Sequence, residues 1–122
     1  MIKTRLLIHS FGYAFQGIKY AWQVDQNIRV HFFVAILVIL ASIFFHVNAF
    51  EMGILGVMIV LVICAEMINT AIEKMVDLIT KEYRLEAKIA KDVSSGMVLI
   101  TVGGSVIVGF LIFAPHILRL FH

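Results

Sequence analysis

Three stretches of this chain contain no Asp, Glu, Lys or Arg: Val30 to Phe45, Met52 to Ala65 and Val93 to Leu118. They limit the fold more than any other feature. A helix crossing the hydrocarbon core of a bilayer needs about 20 mostly apolar residues. The third stretch exceeds that length. The first two reach it once neighbouring residues at headgroup depth, or turned towards protein, are included. A water-soluble globule fails on composition, because 61% of the 122 residues are hydrophobic and only 15% charged, with a mean hydropathy of +1.00. Soluble domains are about half apolar, and one this small leaves much of its surface exposed. An isolated strand would leave backbone groups unpaired in lipid, so the spans are helices. The expectation is an all-α membrane protein forming one domain over 1–122, with transmembrane helices at about 28–47, 51–79 and 92–118. No linker, repeat or low-complexity tract divides it, and the one proline, Pro115, lies near the end.

Charge placement orients the spans. The connection from Thr80 to Asp92 carries Lys81, Arg84, Lys88 and Lys91, and the N-terminal segment carries Lys3, Arg5, Lys19 and Arg29, whereas the turn from His46 to Glu51 has neither Lys nor Arg. The positive-inside rule puts the N-terminus in the cytoplasm and, with three spans, the C-terminus outside. Arg119 is the exception. The basic start, MIKTRLLIHSFGYAF, has no A-x-A-like site after it and does not read as a secretory signal. Leu7, Phe11, Phe15, Ile18 and Trp22 recur every three or four residues, which predicts an amphipathic helix over 1–25. It lies in the cytoplasmic interface or packs on its own bundle. Gly12 and Gly17 predict a bend or a close approach within it. Cys64, inside an apolar run, reads as packing, and the five histidines are too scattered to suggest a metal cluster. Gly103, Gly104 and Gly109 suggest close helix packing in the third span.

The second span ends differently from the others. After Ala65 the sequence runs EMINTAIEKMVD, which places Glu66, Asn69, Glu73 and Asp77 at spacings of three, four and four. On a helix these four fall within an arc of about 80°. A helix emerging into water explains Lys74 and Asp77. It does not explain Glu66, which follows directly on the apolar run, where an ionised carboxylate costs several kcal/mol unless paired or hydrated. Three carboxylates on one stripe repel each other and call for a cation. With oxygen donors and no clustered Cys or His, Mg²⁺ is the natural guest. Near the stripe's cytoplasmic end stand AKDVSSG, Ala90 to Gly96, and Asp25. Asp92 is placed to cap the third span, and Lys91 to neutralise a phosphate held by a metal on Glu73.

The run Glu66-Met-Ile-Asn69-Thr70-Ala-Ile-Glu73 through Val76-Asp77, then Ala90-Lys91-Asp92, together with the Gly-Tyr-Ala-Phe-Gln-Gly segment at 12–17, resembles the small prokaryotic diacylglycerol kinase family over nearly the whole chain. Asn27-Ile-Arg29-Val-His31 and the Gly109 to Pro115 ending resemble its Gram-positive branch, whose members act as undecaprenol kinases. The resemblance implies a homotrimer of three-span subunits in the bacterial cell membrane. Such a protein transfers the γ-phosphoryl of MgATP to a lipid alcohol, undecaprenol or diacylglycerol, with sites between subunits. It further implies Glu66 as catalytic base, Asp25 and Glu73 as metal ligands, and Asn69, Asp77, Lys91, Asp92, Tyr13 and Gln16 as substrate or ATP contacts. The family usually has Glu where Asp25 stands, one methylene longer. A rival reading of another class is a small oligomeric transporter or cation channel whose pathway the acidic stripe lines. A membrane scaffold is a third.

Overall fold

The computed structural model describes residues 3–122. It shows four helices in chain order: α1 (Thr4–Val24), α2 (Gln26–Phe44), α3 (Ala49–Ile79) and α4 (Leu85–Arg119). The last three are long and apolar enough to cross a membrane. The 19 residues of α2 rise about 28 Å, close to the hydrocarbon thickness. With 31 and 35 residues, α3 and α4 run about 46 and 52 Å and project beyond it. α1, α2 and α3 cover most of the segments expected to be helical at 1–25, 28–47 and 51–79, of which residues 1–2 lie outside the described residues.

The third span begins earlier than expected. Residues 85–91, LEAKIAK, are strong helix formers, and they carry α4 out of the membrane as a polar extension. Only Thr80–Arg84 is left as a connection. Asp92 therefore lies inside α4 and does not cap it. The N-cap position is Arg84, without a side-chain cap, and Asp92 pairs instead with Lys88 one turn back.

At the opposite end, α2 closes on His46, which has φ 56°. The His46 amide donates to the Ile43 carbonyl at 3.3 Å and the Val47 amide to the Ser42 carbonyl at 3.2 Å, the two bonds of a Schellman ending. Asn48 then opens α3 with a capping box. Its side chain accepts from the Glu51 amide at 2.8 Å, and the Glu51 carboxylate accepts from the Asn48 amide at 3.1 Å. Backbone groups that lipid cannot satisfy thus find partners within a four-residue turn.

α3 is the central element, in contact with α1, α2 and α4. The burial pattern is inverted relative to a soluble protein. Leu99 and Ile100 are 73% and 78% exposed, while Glu66 is 2% and Ser94 3% exposed. Cys64 faces outwards and is not packing within the chain. The glycine expectations also fail inside the protomer. A Cβ at Gly12, Gly17, Gly103, Gly104 or Gly109 meets nothing within 4 Å; Gly109 instead borders the open space between α2, α3 and α4. α1 continues unbroken through its two glycines, and most of its apolar side chains are exposed, with Ala21 alone buried. It meets the bundle near its end, where Trp22 packs edge-on against Phe32 with centroids 5.3 Å apart.

Because His46 occupies the left-handed region, a β-branched residue there is strained by about 1–2 kcal/mol. His46→Val is expected to lower the unfolding temperature in detergent, whereas His46→Asn, which tolerates that conformation, is expected to stay near the parent.

Candidate active site

The four stripe residues of α3 behave as two groups. Glu66 and Asn69 are buried and face α2 and α4. Glu73 is half-buried, and Asp77 is exposed at the stripe's aqueous end. Between the stripe residues, Thr70 is buried at 9% exposure and shares their face one turn after Glu66. Its hydroxyl lies 2.7 Å from Asp25 Oδ2 and 3.1 Å from the Glu66 carbonyl.

Asp25 occupies the break between α1 and α2, closing one and capping the other. Its Oδ1 accepts from the Asn27 amide at 2.9 Å, an N-cap bond that a longer Glu makes poorly. The shorter residue thus has a structural use where the family usually places Glu. Arg29 fixes the same corner by donating to the Trp22 and Gln23 carbonyls at 2.7 and 3.1 Å, at the negative end of α1. The Asp25 carboxyl also lies within hydrogen-bonding reach of Glu66. Burial alone pushes the Asp25 carboxyl up. Hydrogen bonds with Glu66, with the Thr70 hydroxyl and with the Asn27 and Ile28 amides outweigh it and hold Asp25 below its ordinary value.

Around Glu66 the other polar neighbours are neutral or weakly basic. The Asn27 and Asn69 side chains reach it, and His31 Nε2 stands 3.7 Å from Oε2. Asn69 donates to Glu73 Oε1 at 3.3 Å and accepts from the Ser94 hydroxyl at 2.7 Å, which ties the stripe to α4. A turn nearer the aqueous end, Lys91 Nζ pairs with Asp77 Oδ1 at 2.7 Å. The structure therefore gathers Asp25, Glu66, Asn69 and Glu73, with Asp77 and Lys91 alongside. Asp92 points to Lys88 and is exposed. Tyr13, 69% exposed, and Gln16 stand on α1 and make no hydrogen bond to the cluster among the described residues; Tyr13 stacks on His9. Sequence reasoning missed Thr70, Ser94 and His31 as site residues. Thr70, four residues after Glu66, and Ser94, one turn after Lys91, carry a periodicity signal. His31 carries none, since its neighbour lies on another helix.

The donor set is hard oxygen, from two adjacent carboxyls and a third two turns along α3, with no Lys or Arg paired to Asp25 or Glu66 among the described residues. This fits Mg²⁺, which uses one or two carboxylates and takes its remaining oxygens from water and phosphate. No three of His, Cys, Asp and Glu converge as a closed metal cage among the described residues.

The description of the prokaryotic diacylglycerol kinase family matches residues 12–113. A protein of Synechocystis named diacylglycerol kinase is 39% identical over 115 residues, 93% of this chain and 66% of its own length. The undecaprenol kinase of Bacillus subtilis is 34% identical over 88% of each chain, and the diacylglycerol kinase of Escherichia coli K12 is 30% identical over 90% of each. This chain, with three apolar helices and a buried acidic cluster between them, belongs to the prokaryotic diacylglycerol kinase family of bacterial membrane lipid kinases.

Proposed function

We propose that the chain transfers the γ-phosphoryl group of MgATP to the hydroxyl of a membrane lipid alcohol, undecaprenol by preference. The observation that carries the reading is Glu66, a carboxyl 2% exposed at the point where an apolar helix turns polar, flanked by a second acid, Asp25. Phosphoryl transfer asks for positioning and for positive charge on the transferred group, and little else from the protein. The roles divide by depth. Ala49 to Glu66 covers about 26 Å along α3, so Glu66 lies near the inner edge of the hydrocarbon. There it accepts the proton of an alcohol whose chain stays in lipid, as the oxygen bonds to the γ-phosphorus and ADP leaves. Glu73, about 10 Å further towards the cytoplasm, and Asp25 would hold Mg²⁺, which supplies charge neutralisation on the phosphates. Thr70 keeps Asp25 oriented, and Ser94 does the same for Asn69. Lys91 and Asp77 stand where the phosphates of a soluble nucleotide arrive, with Asp92, Tyr13 and Gln16 contributing to substrate or nucleotide contacts.

The protein works as a homotrimer with the N-terminus cytoplasmic and the C-terminus outside. The exposed apolar side chains of α4, among them Leu99, Ile100, Ile107 and Phe110, support association, and one protomer is too small to enclose both substrates. α1, unpacked along most of its length, lies in the cytoplasmic interface. The Asn27 to His31 and Gly109 to Pro115 segments favour undecaprenol. Diacylglycerol is the second reading, favoured by the name of the Synechocystis relative. A channel or transporter keeps its flux without ATP, and a scaffold loses nothing on mutation of the stripe.

Three outcomes are expected from purified protein in mixed micelles. With undecaprenol and diacylglycerol supplied separately, ATP turnover is faster with undecaprenol; a clear preference for diacylglycerol transfers the assignment to the second reading. Glu66→Gln lowers kcat about 10²- to 10⁴-fold with either lipid, and retained turnover removes Glu66 as the base. Lys91→Met raises KM for MgATP several-fold and leaves KM for the lipid near the parent, since Lys91 lies on the aqueous side.

A further inference from the structure

An apolar cavity of about 420 Å³ runs between α2, α3 and α4 and is lined by Val34, Leu55, Val62, Val106 and Phe110, with His31 as its one basic side chain. His31 stands where this space meets the polar cluster. It lies six residues after Asp25 on the face of α2 turned to α3. Its side chain is 18% exposed, and Nε2 approaches Glu66 Oε2 at 3.7 Å. Glu66 is the one acid within ion-pair range of the ring among the described residues. The two acids nearest it, Asp25 and Glu66, are also the charged groups that face it from the α1–α2 corner and from α3; α4 contributes Ser105 on the cavity wall.

Glu66 is thus approached from two sides. On the aqueous side Asp25, Asn27 and Asn69 reach its carboxyl, and the Thr70 hydroxyl meets its main-chain carbonyl. On the lipid side the imidazole is the one polar side chain near it among the described residues. The last side-chain torsion of Glu is broad, so a contact on the second side narrows its orientation further, and a base must meet the incoming hydroxyl in a fixed direction. A movement of under about 1 Å closes 3.7 Å to hydrogen-bond length, and catalytic contacts are commonly long before substrate binds.

We infer that His31 is a positioning residue for the phosphoryl acceptor step: its Nε2 fixes the orientation of the Glu66 carboxyl on the side from which the lipid hydroxyl arrives. The inference rests on the kinase reading above. It predicts a dependence on where the nitrogen sits. Gln places an amide nitrogen near the position of Nε2, Asn places one a bond short of it, and Leu places none.

The experiment compares wild type, His31→Gln, His31→Asn and His31→Leu in micelles with MgATP and saturating lipid alcohol, each first checked for folding by its unfolding temperature. The expected result is kcat within about threefold of wild type for Gln, and a loss of about tenfold or more for Asn and Leu. KM for MgATP stays unchanged throughout, because nucleotide contacts lie on the other side of Glu66. A packing role moves Gln with Asn and leaves Leu, the apolar substitute, the least affected. Folded Asn or Leu variants at wild-type kcat, or a Gln variant as slow as Asn, overturn the inference while the wild type remains a lipid kinase. Should Leu fail to fold, the Gln and Asn pair decides alone. A wild type that phosphorylates no lipid alcohol overturns the function and this inference together.

Discussion

Burying a carboxyl inside a membrane helix is the constraint around which this molecule is arranged. An unpaired ionised acid in hydrocarbon costs several kcal/mol, and Glu66 is more deeply buried than almost every apolar side chain in the chain. Its neighbours come from three different places: the α1–α2 corner through Asp25 and Asn27, the body of α2 through His31, and α3 itself through Thr70 and Asn69. Asn69 passes the network on to Ser94 of α4. Lipid supplies no hydrophobic drive between helices, so packing and polar contacts of this kind hold a bundle together. The bundle is therefore joined at this end by the residues proposed to do chemistry. Its other polar tie is at the far end, where His116 meets Glu51 at 3.4 Å.

That placement sets what the site can reach. An alcohol with a long apolar tail diffuses within the bilayer and presents its hydroxyl at the interface, while ATP stays in water. Only a group at the boundary between the two phases meets both. The proposed function puts Glu66 on that boundary, since the apolar run of α3 stops at Ala65 and Glu73 and Asp77 follow at helical spacing. On that proposal the same helix grades from lipid contact to nucleotide contact within about three turns, a difference in depth large enough to separate proton transfer from metal binding.

Much of this was legible in the sequence, and the remainder was hidden for physical reasons. Periodicity exposes whatever lies on one helix, so the stripe at 66, 69, 73 and 77 and the three apolar spans could be read directly. Asp92 was misplaced as a cap because Leu85 to Lys91 is polar enough to look like a loop, although its residues favour helix. Pairings across helices left no trace in the spacing. Nothing in the order of residues says that Thr70 meets Asp25 forty-five positions away, or that His31, one of five scattered histidines, faces Glu66. The glycines of α4 misled for a related reason: small residues signal close approach, yet no neighbouring helix comes within Cβ contact of Gly103, Gly104 or Gly109.

Asp25 brings these strands together. As a metal ligand it is one methylene shorter than the Glu that the family resemblance leads one to expect. Within the fold, its length lets one carboxylate oxygen cap α2 through the Asn27 amide while the other receives the Thr70 hydroxyl. Both bonds orient the group towards Glu66 and hold it anionic. A Glu at this corner reaches further into the site but gives up the cap, so the two residues exchange reach for rigidity. In this chain the corner is closed by the acid itself and by Arg29 on the carbonyls of Trp22 and Gln23. A metal bound here would meet a carboxylate whose direction is already fixed, and the ordering cost that a longer, freer side chain carries on binding is correspondingly smaller.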